Sequence, residues 1–149
     1  MPGNNFQEEF ESVASIDGSG NLVLPTGMGL LTTNSSLGIG YSTGAGGAVT
    51  QQTNKATGVT LSKPCGTITM NNAQLNAGVE VEFTVTNTLV AATDIVAVSI
   101  VSGGTSGEHF AFVTTVAAGS FAITVGNLSA GNTTDIIIIN FVVIKGVAA

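Results

Sequence analysis

The chain has no arginine, no tryptophan, one histidine, one tyrosine and one cysteine, and only 8% of its 149 residues are charged. A typical soluble protein carries roughly 25% charged residues. Three lysines cannot form the basic stripe that neutralises phosphates, so DNA and RNA binding are excluded. Without tryptophan the aromatic platforms of sugar-processing sites are also missing. A lone Cys65 rules out an internal disulfide or a thiolate metal cluster. Set between Pro64 and Gly66, with no histidine or cationic run nearby to activate it, Cys65 reads as a structural thiol in a turn. No basic segment followed by an apolar run opens the chain, so no signal peptide is expected and synthesis and use in a cytosol at first are. The sequons at Asn34, Asn127 and Asn132 are then accidents of a Ser/Thr/Asn-rich composition. No run reaches the ~20 apolar residues of a membrane-spanning helix.

What is present is glycine, at twenty positions, with abundant threonine and valine. No long amphipathic helical period appears, and the class is all-β. A net charge of −6 and many small polar side chains supply solubility. Such a surface suits packing against other proteins.

The densest apolar stretch is Thr134 to Lys145, T-D-I-I-I-I-N-F-V-V-I-K, rich in β-branched residues and flanked by Gly131 and Gly146. It reads as a buried strand. Alternation puts Ile136, Ile138, Asn140, Val142 and Ile144 on one face and Ile137, Ile139, Phe141 and Val143 on the other. Both faces are apolar, so the strand needs two covers. Leaving one bare forgoes about 1.5–3 kcal/mol per large side chain. The second cover is either another sheet of the same chain or another subunit. Ile137, Ile139, Asn140, Phe141 and Val143 are the candidate subunit interface. Asn140 interrupts an apolar face, and a buried amide needs a partner. That partner is a backbone group of its own sheet or a copy of itself at a symmetry axis, where buried polar groups fix register and subunit number.

Residues 1–35 read as an N-terminal arm. Phe6, Phe10 and Val13 recur at spacings of four and three, one face of a short helix that Asn5 and Glu8 could cap. Asp17 to Asn21 is a turn, Leu22 to Leu24 a short extended piece, and Pro25 to Asn34 a glycine-punctuated connection. The candidate docking side chains of this arm are Phe6, Phe10, Val13, Leu22 and Leu24. Residues 36–47 form a glycine-rich hinge whose spacing fits neither a dinucleotide fingerprint nor a P-loop. Asp17, Ser19 and Asn21 share spacing with a calcium loop, but Leu22 and Met28 stand where glycine and glutamate are needed.

Residues 48–149 form the body, with strands expected at 48–52, 58–61, 66–70, 79–87, 94–102, 108–116, 120–127 and 134–145. Val79, Val81, Phe83 and Val85 alternate with Glu80, Glu82, Thr84 and Thr86, giving one core face and one wet face. About eight strands at regular spacing predict a jelly roll or β-sandwich. His109 reads as a strand-end residue, because no nucleophile or ligand set is marked around it. Asp94 and Asp135 read as solvated strand-end acids rather than as the paired carboxylates of a glycosidase. No catalytic residue, cofactor or metal is expected.

The strings G-I-G-Y-S-T-G-A-G-G-A-V-T-Q at 38–51, K-A-T-G-V-T-L-S-K-P-C-G-T-I-T-M at 55–70 and I-I-N-F-V-V-I-K at 138–145 resemble a group of small virion proteins of tailed bacteriophages. The resemblance covers about three quarters of the chain. It implies a jelly-roll-like domain, usually trimeric, that decorates and cements a capsid or forms part of a fibre. The expectation is therefore a homotrimeric knob on the capsid surface of the virion, with the major capsid protein and its own copies as partners. A tail-fibre domain contacting a receptor or glycan is the alternative.

Overall fold

The computed structural model describes residues 15–20, 22–24 and 39–147. The chain divides into two compact units, residues 1–40 and 41–149. In the first, β1 (Ser15–Ile16) and β2 (Leu22–Val23) pair antiparallel, Ser15 opposite Val23 and Ile16 opposite Leu22. Asp17 accepts the Ser19 N–H at 2.9 Å through its side chain and the Gly20 N–H at 2.9 Å through its backbone, which closes the expected turn. Phe6, Phe10 and Val13, with the helix expected on them, lie outside the described residues.

The second unit is a β-sandwich of two four-stranded sheets. Its strands are β3 (Gly47–Thr50), β4 (Val59–Thr60), β5 (Cys65–Thr69), β6 (Glu80–Thr86), β7 (Ile95–Ser102), β8 (His109–Ala117), β9 (Ser120–Asn127) and β10 (Ile138–Ile144). One sheet has the order β3-β5-β10-β7 and the other β4-β6-β9-β8. Two of the six pairings in these sheets, β3 with β5 and β4 with β6, are parallel. A jelly roll made of two Greek keys is antiparallel throughout.

The unit boundary falls inside the glycine stretch read as a hinge, and its second half belongs to the body. Gly47 already pairs with Gly66 in β3, and the Tyr41 hydroxyl donates to the Val143 carbonyl at 2.6 Å. Bare backbone is required here. A Cβ on Gly66 would lie 2.7 Å from Leu61 Cδ2 and 2.8 Å from the Gly47 carbonyl.

The core lies between the sheets. Phe83 and Val85 point inward from β6, Phe121, Ile123 and Val125 from β9, Ile68 from β5, and Ile139, Phe141 and Val143 from β10. The Phe121 and Phe141 rings meet across the sandwich at 5.2 Å, tilted by 55°. On β6 the expected alternation holds, with Glu80, Glu82, Thr84 and Thr86 exposed, while Val79 at the strand's edge stays 44% exposed. β10 starts at Ile138 rather than Thr134. Ahead of it, Ile137 only accepts the Met70 N–H at 2.9 Å, and a bulge against β7 falls between Ile138 and Ile139.

Candidate functional site

The long apolar strand does not run along an edge. β10 is central, between β5 and β7. Its cover on one side comes from the chain itself. Ile137, Ile139, Phe141 and Val143 are 0–3% exposed in the single chain, packed against the β4-β6-β9-β8 sheet. They do not form the subunit interface expected of them, because the sandwich interior already takes that face. Asn140 is the exception among the five. It is not buried, and points outward with the other set of alternating side chains.

The outer face of the β3-β5-β10-β7 sheet can be written from register. β10 sends out Ile138, Asn140, Val142 and Ile144. Thr69, Thr67 and Cys65 stand beside them on β5, and beyond these Ala48 and Thr50 on β3. Ser99, Ala97 and Ile95 stand beside them on β7. None of these side chains is charged, in a chain of net charge −6. Ile95 and Ile144, directly opposite one another, are 62% and 53% exposed. The other sheet differs: its outer face carries Glu80 and Glu82 on β6 and, across β9 from them, the stacked rings of Phe110 and Phe112 on β8.

Asn140 sits in the middle of this uncharged face. Its Oδ1 accepts the Thr67 hydroxyl at 2.8 Å, a side-chain partner rather than the backbone partner considered from sequence. Its Nδ2 donates to nothing among the described residues. Open grooves of about 330 and 260 Å³ flank it, one over Ser99 and one over Thr67. Of the arm residues, Leu22 is 49% exposed and Leu24 half-buried.

Three polar clusters were not legible in sequence, since their members are far apart in the chain. His109 Nε2 is 2.9 Å from Asp135 Oδ2 across 26 positions, and its Nδ1 is buried with no hydrogen-bond partner. Gly104, at φ 77°, packs on this pair, and a Cβ there would lie 2.6 Å from His109 Cδ2. An open pocket of about 350 Å³ is lined by this loop and His109. The hydrogen bond from His109 holds the Asp135 carboxyl below the usual range, helped by Thr133 and opposed by burial. The pair fixes an imidazole, but no hydroxyl or thiol is hydrogen-bonded to it among the described residues.

Asp94 is buried rather than solvated. Its carboxylate accepts the Ala91 N–H at 2.8 Å and the Gly146 N–H at 3.1 Å, and pairs with Lys145. These contacts, the Ala91 N–H first and then the Lys145 hydrogen bond, lower its pKa to about 2 against the opposing effect of burial. A carboxyl whose folded pKa is depressed contributes stability that is present above its ordinary value near 4 and is lost as pH falls through about 2. Thermal melts between pH 5 and pH 1.5 should show this acid limb, and Asp94→Asn should flatten it. An unchanged limb in the variant would assign the acid sensitivity to other carboxyls.

Asp94 lies past one end of β10 and Asp135 before the other. The six steps of β10 alone span about 20 Å at ~3.3 Å per residue. A two-carboxylate hydrolase site needs its acids about 5–9.5 Å apart, so these two acids do not form one.

The third cluster surrounds Lys55, which is 3% exposed. Its ammonium donates to the Asn71 carbonyl at 2.7 Å and to the Asp135 carbonyl. Burial lowers its pKa below the usual lysine value, and the charge of Asp135 opposes this. Beside it, Gln51 donates to the Lys55 and Thr57 carbonyls and accepts the Asn71 N–H. Lys55 is a structural tie between the segments after β3, after β5 and before β10.

No protein-family model matches the chain, and neither a curated protein nor a solved structure matches it. Among the described residues no three His, Cys, Asp or Glu side chains are grouped to hold a metal, and no helix is long and apolar enough to cross a membrane.

Proposed function

We propose that this chain is a structural protein of a bacteriophage virion that decorates and stabilises the capsid as a homotrimeric knob attached to the major capsid protein. The observation that carries the reading is the uncharged outer face of the β3-β5-β10-β7 sheet, with Ile95 and Ile144 exposed on it. Such a face loses little by leaving water, and two copies of a −6 chain meet there without opposed charges. The virion assignment itself is supported by the resemblance of the strings at 38–51, 55–70 and 138–145. Residues 1–35 then contribute to attachment, and three weak arms held on one knob bind far more tightly than one.

Quantifying this chain against the major capsid protein in purified particles tests the assignment. Hundreds of copies per particle, released together by gentle stripping, are expected. A few copies in the tail fraction would replace the reading with a fibre domain, and absence from particles would end it. Deleting residues 1–35 should leave a folded body that no longer binds capsids; retained binding would remove the arm's role.

A further inference from the structure

We infer that the outer face of the β4-β6-β9-β8 sheet is a docking surface for an extended, arginine-bearing segment of a second protein, held by Phe110, Phe112, Glu80 and Glu82. The inference concerns a partner of different sequence and stands apart from the virion assignment. Its first ground is where the unpaired charge lies. Residues 41–149 hold five acids, of which Asp94 is paired with Lys145 and Asp135 with His109. The other three, Glu80, Glu82 and Glu108, have no cationic partner among the described residues, and all three sit on β6 or directly before β8.

The second ground is the fixed placement of rings and carboxylates. Register sets Glu80, Gly126 and Phe110 in one row across β6, β9 and β8, and Glu82, Thr124 and Phe112 in the next. A Cβ on Gly126 would lie 2.2 Å from both Cε1 and Cζ of Phe110, so that ring reaches over the bare backbone of β9 toward Glu80. Glu82 meets β8 from the opposite side, where its Oε2 accepts the Thr114 hydroxyl at 2.6 Å. Thr124, between Glu82 and Phe112, is only 5% exposed although it faces outward. Phe112 stays 44% exposed and stacks on Phe110 with ring centroids 5.8 Å apart. Rings and carboxylates thus share one surface before any partner arrives.

That combination selects a guanidinium group, a planar cation that stacks on an aromatic face and forks onto a carboxylate. An aliphatic side chain would cover the rings and strand the acids. The spacing selects a peptide. Glu80 and Glu82, like Phe110 and Phe112, are two residues apart, ~6.7 Å along a strand, which is also the distance between alternate side chains of an extended peptide. A segment with arginine at every second position, laid along β9, therefore meets both rows. A second copy of this chain is not the occupant: it has no arginine, and of its three lysines Lys55 is buried and Lys145 is paired.

The test is a nuclear magnetic resonance titration of the isotope-labelled full chain with the peptide acetyl-Gly-Arg-Gly-Arg-Gly-amide. Amide shifts on β6, β8 and β9 should saturate, and the same peptide with citrulline in place of arginine should bind at least about ten-fold more weakly. Glu82→Gln keeps an acceptor for Thr114 and removes one charge, and Phe112→Ser removes one exposed ring. Each should weaken binding about two- to five-fold, while Ile144→Ser on the other sheet leaves it unchanged. Glu82→Gln decides alone if Phe112→Ser does not fold. Equal affinity for the two peptides, unchanged affinity in Glu82→Gln, or shifts confined to the β3-β5-β10-β7 sheet would overturn the inference. So would saturable shifts on β8 from maltohexaose with none from the arginine peptide, which would give the face to a glycan.

Discussion

Phe141→Ala is expected to lower the stability of the body by about 3–5 kcal/mol, the range for truncating a buried aromatic ring. Phe141 is 3% exposed and reaches across the sandwich to Phe121, itself 1% exposed, with ring centroids 5.2 Å apart. The hole cannot close easily. The Phe141 ring already stands 3.0 Å from where a Gly66 Cβ would be, so strands β5 and β10 approach there on bare backbone. At roughly 5 °C per kcal/mol for a domain of this size the melting temperature should fall by about 15–25 °C. A cycle with Phe121→Ala should return a coupling of about 0.5–1.5 kcal/mol for the tilted ring pair. A loss below about 1.5 kcal/mol for Phe141→Ala would mean that the two sheets are not packed through these rings.

Lys55→Met is the second large effect, expected to cost about 2–5 kcal/mol. Methionine keeps most of the packing but leaves the Asn71 and Asp135 carbonyls without their donor. Each buried polar group so abandoned costs about 1–3 kcal/mol. Removing a buried charge returns some desolvation energy, and this is the opposing effect. The carbonyls outweigh it because residues 71 and 135 stand outside the strand ladders and have no neighbouring strand to take up their hydrogen bonds. The pH dependence carries a signature. A lysine whose folded pKa is lowered releases its proton in the folded chain before the unfolded chain does, so between the two values stability rises with pH. Urea titrations from pH 8 to 10.5 should show that rise in the parent relative to Lys55→Met. Equal stability of the two proteins at pH 7 would reduce Lys55 to a packing residue.

The strands of the body were legible because most are announced by alternation or a β-branched run, and glycine follows β7, β8 and β10 within two residues. Val79 to Asn87 is the plainest case, and β6 occupies 80–86 within it. The turn between β8 and β9 shows why the punctuation works: Gly119 holds φ 82°, a value other residues seldom adopt. The pairing of the strands was a different matter. Parallel contacts of β3 with β5 and of β4 with β6 join segments that skip a neighbour, and nothing in local pattern marks them. The faces of β10 were also ambiguous. When both sets of alternating positions are apolar, periodicity cannot say which set goes inward, and Ile137, Ile139, Phe141 and Val143 took the interior while Asn140 stayed out. The polar clusters were hidden by distance in sequence: Asp94 finds Lys145 51 positions away, and His109 finds Asp135 26 away. A long-range pair of this kind leaves no trace in spacing.

The central place of β10 also sets an order in time. Of the described strands it leaves the ribosome last, yet it is the one that joins β5 to β7. Until it arrives, β5 and β7 each hold an open ladder and the inner side chains of both sheets lack Ile139, Phe141 and Val143. Half-made chains are thus the sticky ones, and pairings between distant segments form slowly. The outer face is completed at the same late step. Asn140 and its neighbours Val142 and Ile144 reach the outer face only with that final strand, so a nascent chain lacks the finished outer surface. A ribosome that stalls before residue 138 therefore releases a chain in which neither face of the β3-β5-β10-β7 sheet is complete.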